Sequence, residues 1–267
     1  MSIAIEKVAL SEFEMEYFKF GRGNRTLVIL PGLSVQSVMN SARAVADEYA
    51  VMKDDFTVWL FDRRKCLPDL YSVHDMAEDT VLAMETLGLK DICLFGASQG
   101  GMIALDIAIH HPPLVRKLAL GSTTPDAGMT DGETLKKWIS LAQSDDSVGL
   151  HVEFGRAIYP AEVFDQYRDV LAAAGKSVTQ EELARFIRMA GASEGFCVTD
   201  RLTDIQCPVL ALGSADDKVL GIAPTEAFIE KLGDRPDFSY YIYDGFGHAA
   251  YDTAPDYRKR LYDFFVK

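Results

Sequence analysis

Apolar positions along this chain follow two rhythms in turn. Residues 3 to 20 alternate loosely and stop at Gly21-Arg22-Gly23-Asn24, a turn signal. That predicts an antiparallel hairpin with Phe13, Met15, Tyr17 and Phe18 in its second arm. Residues 26–30, 57–61 and 92–95 are instead apolar almost throughout, as in strands buried on both faces. Between these runs the spacing lengthens to three and four. Val38, Ala42, Val45, Ala46 and Tyr49 mark one helix. Met76, Thr80, Ala83, Met84 and Leu87 mark a second, entered at Ser72-Val73-His74-Asp75 and closed by Gly88. Met102, Leu105, Ala108 and Ile109 mark a third, and residues 116–120 return to the strand pattern. Regular alternation of this kind predicts an α/β protein, with a mostly parallel sheet and helices on both faces.

The alternation stops between about 125 and 201, where every segment has helical spacing. Thr130-Asp131-Gly132-Glu133 reads as a capping box ahead of Leu135, Trp138, Ile139 and Ala142. Leu150, Phe154 and Ile158 mark a second helix. Pro160 opens a third with Phe164, Tyr167, Val170 and Leu171, and Gly175 closes it. Thr179-Gln180-Glu181-Glu182 caps a fourth. The sheet pattern resumes with a strand at 208–212, a helix at 224–232, a strand at 238–243 and a closing helix from 254. The expected organisation is a core of residues 1–124 and 202–267, interrupted by a helical insertion at 125–201. An insertion this long is more than a plain connection.

Gly96-Ala97-Ser98-Gln99-Gly100 stands where a buried strand turns into a helix. A G-x-S-x-G sequence there makes a sharp elbow that exposes the serine hydroxyl, and small flanking residues let neighbouring elements pack close. The helix N-terminus supplies free backbone N–H groups where an oxyanion could form. A serine hydroxyl is a poor nucleophile without an adjacent base, and the base needs a group to orient it. Of the five histidines, His110 and His111 sit at a helix end, where a dipole contact explains them. His74 lies in a first helical turn without an obvious role, and His151 lies in the insertion. His248 follows a buried strand on a glycine-flanked loop, which puts it at the C-terminal edge of the sheet, where ligand sites of such sheets gather. Asp216 and Asp217 follow the strand 208–212 at that same edge. Asp62 also lies there, more simply as a turn cap.

Composition narrows the class. Of the 267 residues 48% are hydrophobic and 25% charged, ordinary for a globular protein. The net charge of −13 argues against nucleic acid or anionic membrane as partner. No apolar run approaches the roughly 18 residues that cross a bilayer, and the first residues lack the pattern of a signal peptide. Cys66, Cys93, Cys197 and Cys207 are dispersed, which favours reduced thiols over disulfides or a metal site. A cytoplasmic location is expected.

These segments together resemble the α/β-hydrolase superfamily, in particular its small capped members: esterases, enol-lactonases, C–C bond hydrolases and proline iminopeptidases. The resemblance covers the whole expected core. Gly96-Ala97-Ser98-Gln99-Gly100-Gly101 matches the family elbow, Gly213-Ser214-Ala215-Asp216 its acid loop and Gly245-Phe246-Gly247-His248 its histidine loop. The order serine, acid, histidine is that of the family, and the insertion falls where the family carries its cap. Two segments depart from the pattern. Pro31-Gly32 stands where His-Gly is usual, and residues 62–69 are not rich in glycine. The resemblance implies an α/β-hydrolase fold with a Ser98, Asp216, His248 triad, and an oxyanion hole from the N–H groups of Leu33 and Gln99. It implies hydrolysis of a small carboxylic ester or lactone with no metal or organic cofactor. Ser98 in place of an elbow aspartate argues against haloalkane dehalogenation. A non-turnover receptor for small molecules on the same fold, a C–C bond hydrolase and an aminopeptidase are the alternatives.

Overall fold

The computed structural model describes residues 3–130 and 132–267. Among them, eight strands form one sheet: β1 Ile5–Ala9, β2 Glu14–Gly21, β3 Arg25–Leu30, β4 Phe56–Phe61, β5 Ile92–Ala97, β6 Val115–Gly121, β7 Val209–Ser214 and β8 Phe238–Tyr243. Their order is β1-β2-β4-β3-β5-β6-β7-β8. The hairpin β1–β2 pairs antiparallel onto β4, and every other neighbour pair is parallel. Interleaved with the strands are helices α1 Ala42–Glu48, α2 Val73–Thr86, α3 Gln99–His110, α4 Glu133–Gln143, α5 Ser147–Ile158, α6 Ala161–Gly175, α7 Gln180–Gly191, α8 Ala223–Leu232, α9 Ala250–Thr253 and α10 Tyr257–Val266.

Period-two alternation sorts the apolar runs between two faces. Val28 and Leu30 of β3, with Leu94, Leu118, Leu120 and Ala211, pack under α2, α3 and α8. Leu27 and Ile29, with Phe95, Ala119, Leu210 and Leu212, face α1 and α10 through Ala42, Tyr257, Leu261 and Phe265. Each central strand is therefore apolar on both sides, which is why these runs show no polar alternation. From β3 the chain crosses to β4 on one side and then returns to β5 on the other. Such a reversal opens a crevice at the carboxyl ends of the two strands. Leu33 follows β3 and Ser98 follows β5, so both stand at that crevice.

The helices α4 to α7 all fall between β6 and β7. Trp138, Ala142, Leu150, Leu183, Phe186 and Ala190 form their own apolar cluster, which also takes in Val35 and Ala249 from loops of the sheet edge. Trp138 stacks on Phe154 at 4.3 Å between ring centroids, and Phe154 meets Phe186 edge-on. The cap predicted at Thr179 forms as a full box, in which Glu182 accepts from the Thr179 amide. The one predicted at Thr130 does not. Gly132 takes φ 67°, which breaks the helical path, so α4 starts at Glu133 and the Thr130 hydroxyl donates to the Ala127 carbonyl instead. Asp131, within that predicted box, lies outside the described residues.

Candidate active site

Ser98 is the N-cap of α3 and has φ 51° and ψ −124°. A serine pays for this region of backbone space in strain, so its surroundings must hold it there. Its amide donates to the Gly121 carbonyl at 2.8 Å, and its carbonyl accepts from the Thr123 hydroxyl at 2.7 Å. The glycines of the motif serve close approach. A Cβ on Gly96 would run into the Gly100 carbonyl, and one on Gly100 into the Leu30 carbonyl. These contacts let α3 start tight against the ends of β3 and β5.

His248 is buried, and both ring nitrogens are engaged. Nε2 lies 3.0 Å from Ser98 Oγ, and Nδ1 lies 2.8 Å from Asp217 Oδ2. A carboxylate facing Nδ1 puts the ring proton there and leaves Nε2 free to accept from the serine hydroxyl. The other Asp217 oxygen accepts from the amides of Val219 at 2.8 Å and Leu220 at 2.9 Å, so the carboxylate cannot rotate freely. At 8% and 2% exposure, Asp217 and His248 are buried.

The aspartate expected to meet His248 was Asp216, and the structure corrects this: its neighbour Asp217 does. Adjacent side chains diverge, and Asp216 turns toward the strand end. It accepts from the Ser214 hydroxyl at 2.8 Å and from the amides of Gly245 at 3.1 Å and Gly247 at 3.0 Å. It thus braces the glycine loop that carries His248. Burial pushes the Asp216 carboxyl up, but the bonds from Ser214, Gly247 and Gly245 outweigh it and hold it below its ordinary value.

Gln99 is the first residue of α3, so its amide is one of the unpaired N–H groups of the helix end. Leu33 stands nearby, and a Cβ on Gly32 would come 3.1 Å from Ser98 Cβ, a measure of how closely the end of β3 approaches the elbow. The Gln99 side chain has a task that residue spacing does not show. Its Nε2 donates to the Met189 carbonyl at 2.6 Å and to Ser193 Oγ at 3.0 Å, fastening the elbow to α7. Arg185 of α7 makes a second tie, to Asp62 at 3.0 Å. Asp62 also caps its own turn, accepting from the Arg63 amide and from Ser37 Oγ.

A cavity of about 690 Å³ opens over Ser98 and Gln99. Its walls are mainly apolar: Leu33, Met102, Leu135, Trp138, Ile139 and Val219. The insertion supplies three of these six. His151 lies elsewhere, with Nδ1 against the Ser147 carbonyl, and burial holds it below its ordinary value. The loop 62–72, whose course the pattern left open, supplies no residue to the cavity wall and lies against α7, where Arg188 donates to the Leu67 carbonyl at 3.0 Å. Arg63 donates to the Pro31 carbonyl, Arg64 lies over the Phe13 ring, and Leu70 is exposed.

A doubly covered parallel sheet with a strand-to-helix serine elbow and a buried histidine at its carboxyl edge defines a hydrolase class, and comparison with known proteins gives the family. A model of the alpha/beta hydrolase fold matches residues 25–255, and the chain belongs to that family. It is a hydrolase. It is 26% identical over 257 residues, 89% of its length and 92% of the relative's, to a Pseudomonas savastanoi protein named "Putative carbamate hydrolase RutD". Two solved structures share the fold at 18% identity. MGS-M2, an alpha/beta hydrolase enzyme from a Medee basin deep-sea metagenome library, superposes with a TM-score of 0.85 over 98% of each chain. The enol-lactonase of Burkholderia xenovorans does so with 0.82, over 98% of this chain and 100% of the lactonase. Among the described residues, no helix is long and apolar enough to cross a membrane.

Proposed function

We propose that this hydrolase cleaves a carboxylic ester or lactone through an acyl-enzyme on Ser98. The observation that carries the reading is the chain of contacts from Asp217 through His248 to Ser98 Oγ beneath an apolar cavity. Ser98 Oγ attacks the substrate carbonyl, and its proton passes to His248 Nε2. Asp217 keeps the proton on Nδ1 and stabilises the imidazolium that forms. The N–H groups of Gln99 and Leu33 receive the oxyanion. His248 then hands the proton to the leaving oxygen. Water attacks the acyl-enzyme with His248 again as base, and the acid leaves. No metal or organic cofactor enters these steps. Residues 125–201 act as a cap that shapes the cavity and takes no part in bond making.

The apolar walls fit an acyl group of several carbons. A second reading comes from the relative named for carbamate hydrolysis, whose sequence aligns over most of this chain. The carbamate ion is no larger than acetate and would leave most of the cavity empty, which favours the larger ester. Incubation with a fluorophosphonate, digestion and mass spectrometry test the nucleophile. A stoichiometric adduct is expected on the peptide that contains Ser98. A panel of p-nitrophenyl esters of rising chain length, run beside carbamate, tests the substrate class. Folded protein that takes up no probe and hydrolyses no ester would end the proposal. Faster turnover of carbamate than of any ester would move it to the second reading.

A further inference from the structure

Helix α3 carries Ser98 at its start and a different set of chemistry-bearing side chains toward its end. Asp106 lies within the helix at 3% exposure. A carboxylate there is costly unless it is paired, since the α2–α3 interface around it is apolar. Two histidines meet the same oxygen. His74 Nδ1, from the first turn of α2, lies 2.9 Å from Asp106 Oδ1. His110 Nδ1, one turn further along α3, lies 3.1 Å from it. Among the described residues, one ligand atom from each of His74, Asp106 and His110 falls within 4.8 Å of the others.

We propose that these three residues form a binding site for a zinc-class divalent cation that clamps α2 to α3. Two imidazoles with one carboxylate suit zinc, nickel or copper, whereas calcium and magnesium call for oxygen ligands alone. Both histidine rings reach solvent, so a cation can enter and water can fill its open positions. Asp75 and Glu78 add negative charge around His74.

Arg201 regulates access to the site. Its Nη1 lies 2.7 Å from His110 Nε2, and a guanidinium only donates. That nitrogen therefore bears no proton, and the proton of the neutral ring sits on Nδ1, toward Asp106. When a cation takes Nδ1, that proton moves through solvent to Nε2, and Arg201 has to swing aside. Its side chain is half exposed, and Asp204, 3.0 Å from its Nε, can hold it. Along α3, Asp106 lies about 12 Å from Ser98 at 1.5 Å per residue, so the cation takes no part in ester cleavage.

Untagged, chelator-treated protein titrated with zinc chloride in a calorimeter tests this, with thermal unfolding as a second reading. One zinc per chain and a raised Tm are expected. His74→Ala and His110→Ala, at solvent-reached positions, should weaken binding on the order of 10-fold or more. His111→Ala, which removes the neighbouring contact to Glu78, should leave it unchanged. Arg201→Ala should tighten it several-fold, an effect that a merely hydrogen-bonded cluster would not show. Wild-type protein that binds no zinc overturns the proposal, and so does binding that survives the loss of both His74 and His110.

Discussion

At the sheet edge, position is held by directed bonds. Ser98 has its amide on Gly121 and its carbonyl on Thr123, both nitrogens of His248 are engaged, and both oxygens of Asp217 are occupied. In the helices α4 to α7 position is held mainly by apolar contact. Trp138, Leu150, Phe186 and Ala190 pack together, with the ion pairs of Glu153 to Lys137 and Arg156 nearer the surface. The two means suit different work. Proton transfer needs heavy atoms within a few tenths of an ångström, which only opposed hydrogen bonds secure. A wall around an acyl group needs the right volume, and apolar packing tolerates changes of residue that keep volume roughly constant. Chemistry in the edge and shape in the insertion is the division we propose.

The sharpest break of that division comes from the edge. Ser98→Ala should lower kcat by about 10⁶-fold, and His248→Ala nearly as much. The double variant should lose hardly more, because the two act as a unit. Steady-state kinetics on the best p-nitrophenyl ester measures all three. Circular dichroism should show Ser98→Ala folded, since only a hydroxyl at a strained turn is lost. Losses that multiply in the double variant would mean that the pair does not act together.

Asp217→Asn should cost on the order of 10⁴ in kcat, because the amide can hold the wrong histidine tautomer. Asp216→Asn should cost far less activity and show itself in stability. Its carboxyl is held below its ordinary value when folded, so it stabilises the fold above the ordinary carboxylate range. That contribution is lost as pH falls through the lowered folded value. Tm of wild type and Asp216→Asn should therefore differ at neutral pH and converge in strong acid. A variant pair ranked the other way in kcat would return the orienting role to Asp216.

How these two aspartates differ marks where sequence pattern stops being informative. The fold was legible because each central strand is apolar on both faces and each covering helix repeats at three and four. Ser98 and His248 were legible because glycines mark the tight turns that carry them. The Asp216–Asp217 choice depends on which of two diverging side chains the Gly245 and Gly247 amides capture, and those amides lie about thirty residues downstream. The start of α4 depended on the left-handed Gly132. The tie from Gln99 to Met189 and the cluster of His74 with Asp106 join helices distant in sequence. No local spacing encodes such contacts.

The ties between the two regions give an intermediate effect. Arg185 and Asp62 are largely buried, at 16% and 8% side-chain exposure. Removing one partner of a buried pair typically costs 3–5 kcal/mol. Asp62 would keep its bonds to Ser37 and the Arg63 amide, so Arg185→Leu should destabilise by about 3 kcal/mol in urea unfolding, the low end of that range. Loss below about 1 kcal/mol would mean that the pair behaves as an exposed one.

The smallest effect is the most direct test of the insertion. Ile139 is half-buried on α4 and lines the cavity, outside the chain of Ser98, His248 and Asp217. Ile139→Ala removes branched carbon from the wall and makes room for a longer acyl chain. A methylene in an apolar pocket discriminates by about 10- to 200-fold, and a partly open cavity belongs at the low end. The ratio of kcat/KM for octanoate over acetate esters should therefore rise about 10-fold. Ile139→Trp should lower the same ratio. In both variants kcat for the acetate ester should stay near wild type, because no reacting group has moved. Opposite shifts in the ratio at constant acetate kcat are the mark of a wall. If both substitutions instead lower kcat equally for every ester, the insertion acts on the chemistry itself, and the division between the two regions fails.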